Sequence, residues 1–514
     1  MRRSATPRSP RRRRIRRIAI WAAAVAAGAG VSLGIAAAWL YADADSTNVG
    51  DLDFDNRLAI PPLLEPRIDD DGRRVFDLDL RQGRTRFFAD HDTPTWGANG
   101  SYLGPTLRAS RDDEVVINVH NGLPEPTTVH WHGMHLPAAS DGNPHQLIDP
   151  GDTWSPSWTI AQPAATLWYH PHPHGSTAEH LYRGVAGLFL LDDPDSEMLG
   201  LPTDYGIDDI PLIVQDKRFN GDGTLNFDAP TFSPVGILGS DIIVNGTYDP
   251  HVEVVTERVR LRLLNASNAR VYNFGFDDDR EFQLIATDGG LLETAHVTRR
   301  VQLSPGERAE IVVDVDPGDA PVLRSYHPNL GAGRWQGRFA GGHDTFDILQ
   351  LRAGNDLRAS REVTEQLSDH GTLESERPHT TRRFRLDGSS RINGQRMDPD
   401  RIDATVTVDT SEVWEIENSS GNPHNFHIHD VQFQIIDIDG EPPPPPLAGW
   451  KDTVYIPPRQ TVRLIAHFAD YTDADVPYMF HCHILRHEDR GMMGQFLVDA
   501  ERSTSPTEQS NHDH

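Results

Sequence analysis

Tyr478-Met479-Phe480-His481-Cys482-His483-Ile484-Leu485-Arg486-His487-Glu488-Asp489-Arg490-Gly491-Met492-Met493 holds the single cysteine of a 514-residue chain. Histidines flank that cysteine on both sides, His487 follows four residues after His483, and Met492 five after His487. A thiolate, imidazoles and a thioether gathered on one ion are the ligand set of a blue, electron-transferring copper. In an extended segment, alternate side chains face opposite ways. His481 and His483 then face one site and Cys482 another, joined by a few covalent bonds. A lone cysteine is ordinarily a small buried apolar residue, but five soft or borderline ligands between His481 and Met492 favour a metal. Zinc takes sets richer in cysteine or a single catalytic trio, and neither uses the histidines found elsewhere in the chain.

Working outward, three stretches repeat one pattern of turn, acidic residue and alternating strand closed by asparagine. Gly104-Pro105-Thr106-Leu107 leads to a strand ending at Asn121, Val244-Asn245-Gly246 to one ending at Asn265, and Ile392-Asn393-Gly394 to one ending at Asn418. The closing asparagines are 144 and 153 residues apart. This spacing predicts three consecutive β-sandwich domains of about 150 residues each. Composition shifts set their bounds at 58–195, 205–355 and 383–500, followed by a disordered tail over 501–514. The run Glu441-Pro442-Pro443-Pro444-Pro445-Pro446 reads as a stiff surface loop.

After the closing asparagine, the first unit carries His130-Trp131-His132-Gly133 and later Trp168-Tyr169-His170-Pro171-His172. The third carries His424-Asn425-Phe426-His427-Ile428-His429 and later His481-Cys482-His483. The second has no such pair at the matching place, so it reads as a spacer between two ligand-bearing units. Four His-x-His pairs put eight imidazoles on four strand faces. If those faces converge between units one and three, they line a pocket without a thiolate. His424, Cys482, His487 and Met492 remain for the blue site.

These motifs together resemble the signature set of the three-domain multicopper oxidases, a family that includes laccases, bilirubin oxidases and bacterial cuprous oxidases; the resemblance runs from about residue 58 to 500. It implies a cupredoxin-like Greek-key sandwich in each domain and four copper ions per chain. It also implies a type 1 copper on His424, Cys482, His487 and Met492, and a trinuclear cluster that reduces dioxygen to water. In that cluster His130 and His427 would bind the type 2 copper, and His132, His170, His172, His429, His481 and His483 the type 3 pair. Asp141 and Glu488 match the family's acids beside the type 2 and type 3 coppers, and so read as a proton relay. His135, His145, His174 and His180 lie near the motifs and read as surface residues or as supports for the ligands.

The expected activity is one-electron oxidation of phenols, aromatic amines or metal ions such as Cu(I) and Fe(II) by a monomer. Electrons would enter at an exposed edge of His487 or His424 and pass through Cys482 to His481 and His483. Substrate choice is expected in loops over the blue site, around Glu441 to Lys451. The stretch from Tyr205 to Lys217 looks like the bacterial copper-tolerance oxidases, although seven methionines leave no room for the methionine-rich insertion of those cuprous specialists. Three alternatives remain: a cuprous oxidase, a copper-sequestering protein without turnover, and a cell-division protein that keeps the fold without its coppers. A copper nitrite reductase fits poorly with a third domain and four histidine pairs.

The first 17 residues hold nine arginines and no acid, and Ile18 to Ala42 is an uncharged apolar run of 25 residues. Residues 1–45 therefore read as an export signal, loosely of the twin-arginine kind, or as an uncleaved membrane anchor. The arginines would keep that end in the cytoplasm and put the body outside. Without those arginines the net charge falls from −28 to −37. Such a body repels nucleic acid.

Overall fold

The computed structural model describes Tyr41, residues 44–369, Gly371, Leu373 and residues 378–500. The export or anchor run, apart from its Tyr41, and the tail over 501–514 lie outside the described residues.

The chain forms three consecutive two-sheet sandwiches, and the repeat read in the sequence has a common structural meaning. In each, the asparagine-closed strand pairs in parallel with the first long strand of its unit: Leu80 faces Asn121, Val214 faces Asn265 and Leu386 faces Asn418. Alternation along Glu114–Gly122 buries Val115, Ile117 and Val119 on one face, as a half-exposed strand requires.

The three asparagines are buried and make the same bonds. Asn121 Nδ2 donates to the carbonyls of Glu125 and Ile148, and Asn418 Nδ2 to those of Asn422 and Ile456. Asn265 Nδ2 donates to Arg270 and Leu303. In every copy the Oδ1 accepts from the amide two residues on, at Leu123, Ser267 and Ser420. A short amide side chain thus folds the loop that follows the strand and satisfies backbone that would otherwise be buried unpaired. In units one and three the strand beyond that loop carries histidines.

In the first sandwich His130–His132 is the edge of the sheet ordered Leu107–Ser110, Gly187–Asp192, Ala165–His170, His130–His132, with His170 opposite His130. In the third, His424–Ile428 lies between Asp473–His481 and Thr453–Ile456, with His427 opposite His481. The two histidine-bearing strands meet at one seam, where the His132 and His427 rings stack with centroids 3.7 Å apart. Each sandwich has its own apolar core. The third core also takes in Val235, Val271, Leu330 and Ala340 from the second sandwich.

Three short helices matter for the site: α1 (Thr177–Arg183), α2 (Arg334–Phe339) and α3 (Leu485–Asp489). The Asp489 carboxylate accepts from the amides of Thr177 and Ala178 at 2.9 and 3.1 Å, so α3 caps the free N–H groups of α1. The proline run is exposed and closes in a single 3-10 turn over Pro445–Leu447.

Candidate metal centre

The strand leading to the cysteine ends at His481, and the chain turns into α3 after Ile484. The alternation expected for the stretch holds through His483: His481 and His483 reach the other histidines, while Cys482 faces His424 and His487. The turn brings His487 back to Cys482. His424 Nδ1 and His487 Nδ1 lie 3.5 and 3.6 Å from Cys482 Sγ and 3.1 Å from each other. The ring nitrogens on the far side are occupied: His487 Nε2 donates to the Pro234 carbonyl at 2.8 Å, and His424 Nε2 lies 3.1 Å from Ser420 Oγ. The carbonyl fixes the tautomer of His487 so that its Nδ1 lone pair faces the sulfur, and the Ser420 hydroxyl holds the His424 ring with its Nδ1 on the same side. Burial draws the pKa of His487 down to about 4 and that of His424 well below the usual range, so both rings are neutral. The amide of Cys482 donates to the Met492 carbonyl, and the amide of Met492 to that of His487, which draws Met492 to the same turn. Burial pushes the Cys482 thiol up to about 12. Its ionisation awaits a cation in contact with it.

His424 and His487 are both fully buried, contrary to the expected exposed edge. The backbone of Pro234, from the second sandwich, stands over His487. Within the stretch Glu441–Lys451, Leu447 packs against the core that holds Cys482 and Met492, while its end turns to the second sandwich. Gly449 meets Thr287 and Leu292, and Lys451 Nζ is paired with Asp288 and Glu307 at 2.8 and 3.0 Å.

The other eight histidines converge at the seam, all buried. Their inward nitrogens fall into groups. His170 Nε2 is 3.3 Å from His132 Nδ1 and 3.4 Å from His483 Nε2. His481 Nε2 is 3.1 Å from His172 Nε2 and 3.2 Å from His429 Nε2. His130 and His427 donate through Nδ1 to the carbonyls of Asp141 and Asp452, both at 2.8 Å, which leaves each Nε2 buried without a partner. Burial, with mutual repulsion, holds His132, His170, His427 and His429 well below the usual range and His172 and His483 near 3. Neutral imidazole lone pairs aimed at one another in a dry interior are favourable only around a cation. Two nitrogens each about 2 Å from one ion in tetrahedral geometry sit about 3.3 Å apart, as these do. The residues fit metal ions in two separate places, one with a thiol and one without.

Family models described as multicopper oxidase match residues 80–196, 197–325 and 363–502. The chain belongs to the multicopper oxidases. It is 36% identical over 450 residues to the multicopper oxidase Mco of Staphylococcus haemolyticus, covering 86% of this chain and 92% of that one. It is 38% identical over 451 residues to the cell division protein FtsP of Xenorhabdus nematophila, with the same coverages. Among solved structures, a laccase from Pediococcus acidilactici superposes with a TM-score of 0.78 at 31% identity, covering 86% of this chain and 94% of that one. Membership of this family implies that the metal is copper.

Two acids reach into this multicopper oxidase's histidine seam. Asp141 Oδ2 accepts from His429 Nδ1 at 2.8 Å, and its other oxygen is 3.3 Å from His130 Nδ1. Glu488 Oε2 is 3.1 Å from His481 Nδ1 and Oε1 is 3.8 Å from His172 Nε2. Burial disfavours ionisation of Glu488, but the imidazoles of His481 and His172 outweigh it and hold the carboxyl below the usual range.

Two residues of the seam have no signature in the sequence: Asp452, whose Oδ1 lies 3.0 Å from His132 Nε2, and Arg308, which grips the same carboxylate. In a chain with 76 acidic residues one aspartate in a loop carries no signal, and Arg308 comes from the unit read as a spacer. Asn425 carries no motif signal of its own between the histidines, yet its Oδ1 is 3.6 Å from Cys482 Sγ. The nearby histidines have other partners. His135 sits between Asp430 and Asp470, His145 Nε2 is 2.8 Å from Gln495 Oε1, His180 lies between Thr127 and Glu125, and His174 is exposed.

Proposed function

We propose that this protein is an extracytoplasmic laccase-like oxidase that takes single electrons from a reductant at a type 1 copper held by His424, Cys482, His487 and Met492. Dioxygen would be reduced to water at a trinuclear centre, with type 2 copper on His130 and His427. One type 3 copper would sit on His132, His170 and His483 and the other on His172, His429 and His481, giving four ions per chain. Phenols, aromatic amines and reduced metal ions are the substrate classes. The observation that carries the reading is the complete donor set: ten buried histidines and one cysteine whose lone pairs converge and whose outer nitrogens are largely tied to oxygen acceptors.

When bound, copper supplies the one-electron redox steps. The residues supply the rest. Cys482 shares a backbone with His481 and His483, so its sulfur and the seam are joined by a short covalent path. Each outer acceptor fixes the tautomer and the angle of its ring. Asp141, on His429 Nδ1, and Glu488, beside His481 Nδ1, hold carboxylate oxygens where protons must be delivered as water forms. The fully buried seam keeps bulk water off the inward nitrogens.

A copper-dedicated cuprous oxidase is the nearest alternative within the same chemistry. A cell-division role without turnover is a second reading, favoured by the likeness to FtsP; the intact donor set argues against it. The deciding experiment is a visible spectrum and copper count of the loaded protein, followed by oxygen uptake with a phenol and then with Cu(I). A strong blue band and uptake with either donor support the oxidase. A colourless protein after full loading, or a blue one that takes up no oxygen with any donor, would overturn it.

A further inference from the structure

The two imidazoles beside Cys482 are closed off by a cap built from the second sandwich. Its first part is the loop Pro230–Leu238, in which the Pro234 carbonyl accepts from His487, Val235 enters the third core and Gly236 meets Arg486. Its second part is α2 and its approach: Leu330 and Ala340 join that core, and Gln336 approaches Gly421 in the turn that holds Ser420 and His424. The underside of the cap is fully accounted for by packing. The outer side is not.

That outer side is aromatic. Phe232 is 57% exposed and Trp335 44%, with ring centroids 6.2 Å apart; Phe339 lies beneath, 5.6 Å from Phe232 and 4.9 Å from Trp335. Phe232 has φ of 67°, a backbone state that a bulky side chain rarely adopts, and that geometry holds its ring out toward solvent. The helix beneath carries Arg334 and Arg338 and no acid, in a chain of net charge −28. Arg338 is paired with Asp45, and exposed aromatic rings beside the exposed Arg334 suit the interface of a bilayer.

A second observation points the same way. Tyr41, next to the end of the uncharged run Ile18–Ala42, stacks on Trp335 at 5.7 Å, and its carbonyl accepts from Arg338 Nε. The chain is then pinned at once. Asp45 pairs with Arg338, Ser46 N donates to Asp344 Oδ1 at 2.9 Å, and Asn48 exchanges bonds with Asp347. Among the described residues the chain is held to the body at Tyr41 and again from Asp45, so the junction lies against the cap of the blue site. A body retained on that run would have this face turned to the membrane.

We infer that the Phe232–Trp335–Tyr41 face is a bilayer contact, and that the type 1 site takes its electrons from a hydroquinone-class phenol dissolved in that bilayer; the electron route rests on the oxidase reading above. The cap covers His487 and presents the aromatic face to lipid-borne donors, which the rings of Phe232 and Trp335 would hold against it, while the Pro234 carbonyl on His487 is the contact inward that every donor shares. The reaction balances. Two hydroquinones lose four electrons and four protons to become two quinones, and one dioxygen takes up all eight to become two waters.

The test uses the full chain, copper-loaded, in phosphatidylcholine vesicles containing a decyl-substituted hydroquinone. A fluorophore on Phe232→Cys is compared with one on Leu147→Cys, an exposed position of the first sandwich, using brominated lipid as quencher. Quenching several times stronger at 232 is expected. Phe232→Asn, which suits the left-handed backbone, combined with Trp335→Gln should cut turnover of the vesicle-borne donor at least fivefold while leaving that of ferrocyanide in solution unchanged. Equal quenching at the two positions overturns the membrane contact, and an equal loss with both donors overturns the lipid-borne route. No turnover with any donor, in a protein still quenched at 232, overturns the oxidase reading and the electron route with it, but not the contact.

Discussion

Arg308 holds both carboxylate oxygens of Asp452 at 2.7 Å, one on each terminal nitrogen, deep in the seam where all three sandwiches meet. Arg308 belongs to the second sandwich and Asp452 to the third, and Arg308 Nε also donates to the carbonyl of Thr166 in the first. The gripped carboxylate in turn faces His132 Nε2, and the Asp452 carbonyl accepts from His427 Nδ1. The sandwich without ligands therefore fixes the orientation of rings on both others. Arg308→Met should leave a buried carboxylate without its cation, at a cost of about 3–5 kcal/mol. The measurements are thermal unfolding and copper content. Copper bound at the histidine seam should fall while the blue band survives in the folded fraction; an unchanged melting temperature would show that the pair holds nothing together.

Cys482→Ser separates the two proposed centres. The hydroxyl is a poor copper ligand beside a thiolate, while the eight seam histidines keep every partner. One copper per chain should be lost and the intense visible band with it, and oxygen uptake with any donor should stop. Retention of the band would mean that the sulfur is not its source.

Glu488→Gln tests proton delivery without removing a ligand. The amide is close in size and keeps an oxygen near His481 Nδ1, but cannot carry a proton to and fro. Turnover should fall by about 10²-fold with the blue band retained. The same change at Asp141 differs in kind, because Asp141→Asn also alters the acceptor of His429 Nδ1 and should lower copper content as well. If Glu488→Gln left the turnover rate untouched, the carboxylate would be structural.

The donor set was legible in the sequence because metal chemistry restricts it to few residue types at short spacings, as in His481-Cys482-His483. The three sandwiches were legible through Asn121, Asn265 and Asn418, whose shared bonds explain why the repeat survives while the strands around it differ. What was not legible depends on long-range convergence. Arg308 and Asp452 are 144 residues apart, and neither is unusual locally. Pro234 acts through its carbonyl, which every residue possesses, so no side-chain pattern could announce that His487 is covered. The path of Tyr478–Met493 was half legible: alternation described it through His483, and the turn into α3 that returns His487 to the sulfur has no periodic signature.

His135 joins the first sandwich to the third through Asp430 and Asp470, at 2.8 and 2.9 Å on its two ring nitrogens. Burial opposes protonation of the ring, but the two carboxylates outweigh it and lift its pKa to about 9 from an unfolded value near 6.5. A raised cationic pKa stabilises the fold fully below the unfolded value, and the contribution disappears as pH rises through about 9. Asp470 is largely exposed and its share is screened, so the whole is on the order of 2 kcal/mol. The melting temperature should therefore decline between about pH 6.5 and 9 in the native protein, and His135→Gln should start lower at pH 6 and flatten that decline. Parallel pH profiles for the two proteins would show that the imidazolium between these carboxylates does not hold the seam.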